Sequence, residues 1–241
     1  CVFVTREDYA TYEGKEIALE ELEYETFPYD LSIINVASEQ SNFFQIGYKA
    51  TEVLFPRHKD KHFHLSYGMV QLKSGKMSSR TGQVITADSL FDEAKLKVLK
   101  LLKPGYSDKE QEEIAEKVAV AAVKYSMLRV NPLMEIAFDL AASVSLAGDS
   151  GPYLMYTYAR CRSVIRKSGQ DTWKVAGTDS FQVKEVVQRL NTEEISLLHT
   201  LHRFPEVVIE AGRTLFPNLL CSFLFDLAQK YNLFYNKHSI L

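Results

Sequence analysis

The chain has 241 residues, of which 46% are hydrophobic and 24% charged, with a formal net charge of −3. That length suggests one large domain or two modest ones, with enough apolar residues for a real core. The charge argues against a globally basic nucleic-acid binder, and the three scattered cysteines (Cys1, Cys161, Cys221) argue against a disulfide scaffold or a CxxC-type zinc site. They fit a reducing, cytoplasmic compartment, and no apolar run reaches membrane-spanning length. Charge is unevenly spread. Residues 1–30 hold nine acids against Arg6 and Lys15, residues 57–80 hold six cations and only Asp60, and residues 152–169 hold Arg160, Arg162, Arg166 and Lys167 with no acid. A nearly neutral protein with such patches can still meet a polyanion.

In chain order, the first hundred residues read as α/β. SIINVA (32–37) is a short buried strand candidate, and GMVQL (68–72) and QVIT (83–86) are strand-like segments flanking a loop. Thr86 is placed to cap a helix beginning ADSLFDEA, with Leu90, Ala94, Lys97 and Leu101 on one side, ended by Pro104-Gly105. Ser107 and Glu110 form a capping-box pattern ahead of a long helix whose face is Ile114, Val118, Ala121, Tyr125 and Leu128, stopped by Pro132. Gly151-Pro152 opens another helix, running to about Lys167. After a polar stretch, helical patterns recur at 181–190, 193–202 and 206–215, and a last one from Pro217 carries Leu220, Leu224, Leu227, Tyr231 and Phe234 on one stripe. The expected fold class is α/β followed by all-α, divided near residues 130–150 into domains 1–144 and 145–241.

The loop GKMSSRTG (75–82) joins Lys76 and Arg80 with the hydroxyls of Ser78, Ser79 and Thr81, between two glycines. Charge, rotatable donors and backbone freedom are what polyphosphate binding needs. The loop is not a Walker A motif, and a solvated basic hairpin fits the same composition.

KMSSRTG resembles the KMSKS signature of class I aminoacyl-tRNA synthetases, in the form seen in arginyl-tRNA synthetases. Four further segments, in order, are similar to that family: TYEGKE (11–16), YDLSIINVASEQSNFFQ (29–45), HLSYGMVQL (64–72) and GDSGPYLMYTYARCRSVIRK (148–167). The closing LAQKYNLFYNKHSIL also looks like the family's last helices. The resemblance covers nearly the whole chain. It implies the second half of a class I Rossmann-type catalytic domain followed by a helical-bundle anticodon-binding domain. The implied activity is ATP-dependent attachment of arginine to its tRNA through arginyl-adenylate, with Mg²⁺ accompanying ATP and with L-arginine and arginine tRNA as partners. A monomer with no membrane attachment is expected.

Carried over residue by residue, the resemblance assigns arginine binding to Tyr12, Glu16 and Gln40. A guanidinium suits a carboxylate and nearby acceptors, and Gln40 would sit at a strand's carboxyl end, where open α/β sheets bind ligands. It assigns ATP binding to His64, Tyr67, Gly68, Met69, Val70 and Lys76, largely through backbone. It assigns catalysis to Lys76, Ser78, Ser79 and Arg80, which would stabilise charge on the transferring phosphates. No metal ligands are expected. Taken singly, these residues also fit plainer roles: core tyrosines, a solvated acidic face, a helix cap, a structural histidine.

Two residues depart from the family pattern. Glu16 stands where many members have Asp, and Ser79 replaces the second lysine of KMSKS, with Arg80 following. The HIGH signature and the first half of the nucleotide-binding fold would precede Cys1, and the family's terminal helix would follow Leu241. This piece alone is therefore expected not to make arginyl-adenylate.

In the helical half, Arg162 and Arg166 lie four apart on one face, and Arg160 and Lys167 share another. With no acid nearby, this helix could track a phosphate backbone or be a solvated basic surface. Tyr153, Tyr156 and Tyr158 suit base stacking or a core. Tyr231, Asn232, Tyr235, Asn236, Lys237 and His238 mix aromatic and polar groups as an RNA loop requires. The assigned tRNA-binding set is Arg160, Arg162, Arg166, Tyr231, Tyr235, Asn236 and Lys237. Alternative readings are a non-catalytic RNA-binding protein derived from such an enzyme, another class I synthetase such as a cysteinyl type, and an unrelated ATP-binding α/β protein.

Overall fold

The structure, a computed structural model, describes residues 1–72, 86–102, 104–169 and 190–240. It divides into two compact units, Cys1–Val70 with Pro132–Ile136, and Gln71–Asn131 with Ala137–Leu241. The chain passes between them within β3 (Val70–Leu72) and β4 (Ile136–Phe138).

In the first unit, Thr11 starts α1 (Tyr12–Thr26): its hydroxyl accepts from the Gly14 N–H at 3.2 Å and donates to the Val2 carbonyl at 2.7 Å. Gly14 is required there, because a Cβ would lie 2.2 Å from the Phe3 carbonyl oxygen. The expected strand is β1 (Ser32–Ala37). A 3-10 turn (Ser38–Gln40) leads into α2 (Ser41–Leu54), and a second turn (Pro56–His58) leads to β2 (His62–Tyr67). β1 and β2 are parallel, as a helical crossover demands, in register from Ser32↔His62 to Ala37↔Tyr67. Buried in this unit are Ile17 and Phe44, but also Glu20, Thr51 and His58.

The second unit is helical: α3 (Ala87–Leu101), α4 (Asp108–Leu128), α5 (Leu140–Ser143), α6 (Gly151–Ser168), α7 (Thr192–His202), α8 (Phe204–Thr214) and α9 (Asn218–Lys237). The expected caps are present. Thr86 accepts from the Ser89 N–H, and Ser107 with Glu110 closes a capping box on α4. Asn191 and Glu194 close a second one on α7. The buried faces differ from expectation. On α3 they are Ala94 and Val98, with Leu101 60% exposed; on α4 they are Ala115, Ala119, Ala122, Val123 and Tyr125, with Leu128 exposed. Small side chains win on α4 because α6 approaches closely: a Cβ on Gly151 would lie 2.4 Å from the Ala121 carbonyl oxygen. On α9 the buried positions are Cys221, Phe223, Ala228 and Asn232, while Leu224 is exposed. That helix contacts α4, α6, α7 and α8, so burial follows its neighbours rather than one apolar stripe. The strand expected at 83–86 and the helix at 181–190 fall mostly outside the described residues.

Candidate functional site

The parallel register brings two chain reversals to one sheet edge. Gln40 ends the turn that follows β1 and is exposed, while Tyr67, Gly68 and Met69 end β2 beside it in the pairing order. Gly68 is buried; its N–H donates to the Pro132 carbonyl at 2.7 Å, and a Cβ would lie 2.1 Å from the Met134 carbonyl oxygen. The Met69 carbonyl accepts from the Ile136 N–H at 2.9 Å. The segment is thus pinned by its backbone and keeps its larger side chains outward, with Tyr67 40% and Met69 43% exposed. Val70 follows as the first residue of β3. His64 lies inside β2, where its Nε2–H donates to the Val36 carbonyl at 3.2 Å and its ring packs on Phe44.

Tyr12 and Glu16 are one helical turn apart on α1. The Glu16 charge is the main cause that raises the Tyr12 phenol above its ordinary pKa. The Tyr12 ring lies 5.4 Å from Phe43, three residues after Gln40 in the first turn of α2. A narrow crevice runs past Phe3, Glu13, Glu16, Glu20 and Phe43. Glu16 is a half-buried carboxylate at this crevice, with the Tyr12 phenol one helical turn away, and both are groups that can accept hydrogen bonds from a cationic donor. Lys76, Ser78, Ser79 and Arg80 lie outside the described residues.

The basic residues of the helical unit divide into two kinds. Arg160 is committed within the unit: it donates to Asn232 Oδ1 and the Tyr156 hydroxyl, both at 2.6 Å, and lies over the rings of Tyr156 and Tyr235 at 4.7 and 4.4 Å. Arg162 and Arg166 are exposed and make no ion pair among the described residues. Lys237 pairs with Glu193 at 2.6 Å, and the Lys237 and His238 hydrogen bonds hold the Glu193 carboxyl down at about 2. The Tyr231 and Tyr235 rings are 6.1 Å apart, and burial followed by the Cys161 thiol pushes the Tyr231 phenol up. Asn236 is exposed. Asn232 is not a surface group: it is buried and donates to the Tyr153 hydroxyl at 3.0 Å and to Thr157 Oγ1 at 2.8 Å.

Sequence reasoning missed a polar cluster in the first unit. His58 Nε2 meets Glu21 at 2.7 Å, Thr51 meets Glu20 at 2.5 Å, and the Tyr29 hydroxyl lies 3.4 Å from His58 Nδ1 and 3.2 Å from His62 Nε2. Its members come from α1, the segment after it, α2, the Pro56–His58 turn and β2. Only the four-residue spacing of His58 and His62 hinted at it, and that spacing does not reveal long-range partners.

Comparison with known proteins finds two family models in succession along the chain. Residues 1–140 match the family model of class I tRNA synthetases (R), catalytic domain, and residues 154–241 match the DALR anticodon binding domain. The first model covers more than half of the chain, which therefore belongs to the class I tRNA synthetases (R). The arginine–tRNA ligase of Flavobacterium psychrophilum is 33% identical over 87% of this chain and 34% of its own length. That of Pyrococcus abyssi is 35% identical over 87% of this chain and 34% of its own length. The Thermus thermophilus arginyl-tRNA synthetase structure superposes with a TM-score of 0.79 at 25% identity, covering 100% of this chain and 43% of that one. The chain spans about a third of the length of these curated relatives. Its organisation is a class I catalytic domain followed by an anticodon-binding domain. Among the described residues no helix is long and apolar enough to cross a membrane.

Proposed function

We propose that the chain carries part of an arginine–tRNA ligase, which uses ATP to form arginyl-adenylate and transfers arginine to its tRNA. Residues 1–144 serve the first step and residues 145–241 bind the tRNA, in a cytoplasmic monomer. The observation that carries this reading is the parallel β1–β2 register, which sets Gln40 beside Tyr67–Met69 at one carboxyl edge. Ligands of open α/β sheets bind at such edges.

In this reading, Glu16 and Tyr12 receive the arginine guanidinium and Gln40 accepts a further hydrogen bond. Tyr67, Gly68, Met69 and Val70 line the adenine side, and His64 fixes β2 to β1 behind them. Lys76, Ser78, Ser79 and Arg80 face the phosphates, where fixed cations stabilise developing charge. Mg²⁺ arrives on ATP, and among the described residues no group of three or more His, Cys, Asp or Glu is arranged to hold a metal ion. Arg162 and Arg166, unpaired among the described residues, offer positive charge to a phosphate backbone. Tyr231, Tyr235, Asn236 and Lys237 present a mixed face beside them, braced by Arg160.

Calorimetric titration of the chain with arginine tests the amino-acid site. Arginine should bind more tightly than citrulline, and Glu16→Gln should weaken arginine about tenfold or more, the usual effect of losing a charged hydrogen-bond partner. Equal binding of both ligands, or an unchanged Glu16→Gln, removes Glu16 from the site. RNA binding without arginine binding would favour a non-catalytic RNA-binding protein instead.

A further inference from the structure

We propose that His58 and His62 form an acid-sensitive latch, which ties α1 to β2 while both imidazoles are neutral and releases α1 when either takes a second proton. The inference rests on the cluster's hydrogen bonding and is independent of what the neighbouring site binds.

The two rings are stacked, 5.3 Å apart and 7° from parallel, and their side chains are 0% and 2% exposed. Every proton in the network has one consistent place. Glu21 also pairs with Arg57, so it is an ionised acceptor, and His58 Nε2–H donates to it. His58 Nδ1 then accepts from the Tyr29 hydroxyl. Tyr29 has a single proton, so its oxygen must in turn accept from His62 Nε2–H. That leaves His62 Nδ1 as a bare lone pair, buried and without a partner among the described residues.

A further proton breaks this order wherever it lands. On His62 Nδ1 it creates a buried N–H with no acceptor; on His58 Nδ1 it reverses the Tyr29 bond and sets two donors on one phenol. Of the surrounding groups, Glu21 at 2.7 Å from His58 Nε2 and Glu20 at 3.8 Å from His62 Nε2 favour charge on the rings, and burial opposes it. From α1 the cluster meets Glu20, Glu21 and Tyr24; from the turn after α1, Tyr29; from α2, Tyr48, Thr51 and Glu52; and from the segment before β2, Phe55, Arg57 and Lys61. Burial lowers both imidazoles below their ordinary 6.5, helped for His58 by Arg57 and Lys61 and for His62 by His58. Glu20 pulls His58 upward and Glu52 pulls His62 upward, without reversing either shift. Glu20 itself is raised by burial. The Thr51 hydroxyl donates to Glu20 Oε2 in a short contact and also lies 3.1 Å from the Gly47 carbonyl, and its bond to Glu20 favours the ionised carboxylate. Acid therefore reaches the histidines only by disturbing their neutral hydrogen-bond order.

The sign follows from linkage. A histidine lowered in the folded state contributes stability that is complete above 6.5 and falls as the pH drops below that value. Because α1 also carries Tyr12 and Glu16, its release displaces both.

Hydrogen exchange of α1 amides in the whole chain tests the latch, with α4 amides as the internal reference. After correction for intrinsic rates, α1 opening should rise about tenfold or more between about pH 7.5 and about pH 5.5, one factor of ten for each unit of lowered pKa, while α4 is steady. The double variant His58→Gln/His62→Gln should abolish that dependence, and Glu20→Gln should preserve it. Should the double variant fail to fold, ring-nitrogen NMR of the unaltered chain decides. His62 protonated at Nε2 only at about pH 7.5 supports the latch. A proton on His62 Nδ1, imidazoles titrating at or above their ordinary value, or α1 protection unchanged with pH overturns it.

Discussion

The two units bury titratable groups by opposite rules. In the first, burial lowers His58 and His62 and raises Glu20, which moves proton exchange into the mildly acidic range. In the second, burial raises the Cys221 thiol to about 11, and burial with the Asp149 contact pushes the Tyr125 phenol up, so both move away from neutrality. The cause is the same desolvation; the ordinary pKa of each group decides the outcome. The two stacked, buried imidazoles lie in the first unit, while this thiol and this phenol of the second move away from neutrality. In the second unit, close backbone approach is joined by hydrogen bonds to charged groups. Tyr125 donates to Asp149 at 2.5 Å, and its hydroxyl lies 3.2 Å from the Cys221 carbonyl.

The sharpest way to break this comparison is at the α4–α6 contact. Gly151→Val places its Cβ against the backbone of Ala121 and Ala122, which cannot swing aside as a side chain would. It should destabilise the helical unit by about 3 kcal/mol, measured by urea unfolding followed by circular dichroism, with the pH response of α1 unchanged. Next comes Asn232→Ala, which deprives Arg160, Tyr153 and Thr157 of a buried partner. About 2 kcal/mol should be lost, again in the helical unit alone. The smallest effect is acidification of the unaltered chain to about pH 5.5, which should loosen α1 and leave α4 as it was.

Much of this was legible in local sequence. Strand β1, the Thr86 cap, the capping box of Ser107 and Glu110, and the Gly151-Pro152 helix start all depend on residues within a few positions of one another. The order of short motifs identified the family. Helix faces were less legible, because α9 meets four other helices and α4 buries alanines where a glycine approaches. Asn232 looks like an RNA-facing polar group until its partners on α6 are known. Arg160 likewise looks free until its two tyrosines and Asn232 surround it. The histidine cluster joins residues up to 37 positions apart, and no periodicity reports such contacts. The place of Gln40 just after β1 was legible because the end of a strand is itself a local feature.

The central claim is that the helical half recognises arginine tRNA. Titrating the chain with arginine tRNA and with a non-cognate tRNA, at low and physiological salt, tests it most directly. The account predicts tighter binding of arginine tRNA, weakened by changing its anticodon and reduced by Arg162→Ala and Arg166→Ala together, with a shallower salt dependence in that variant. Equal binding of both tRNAs, or none, would contradict it.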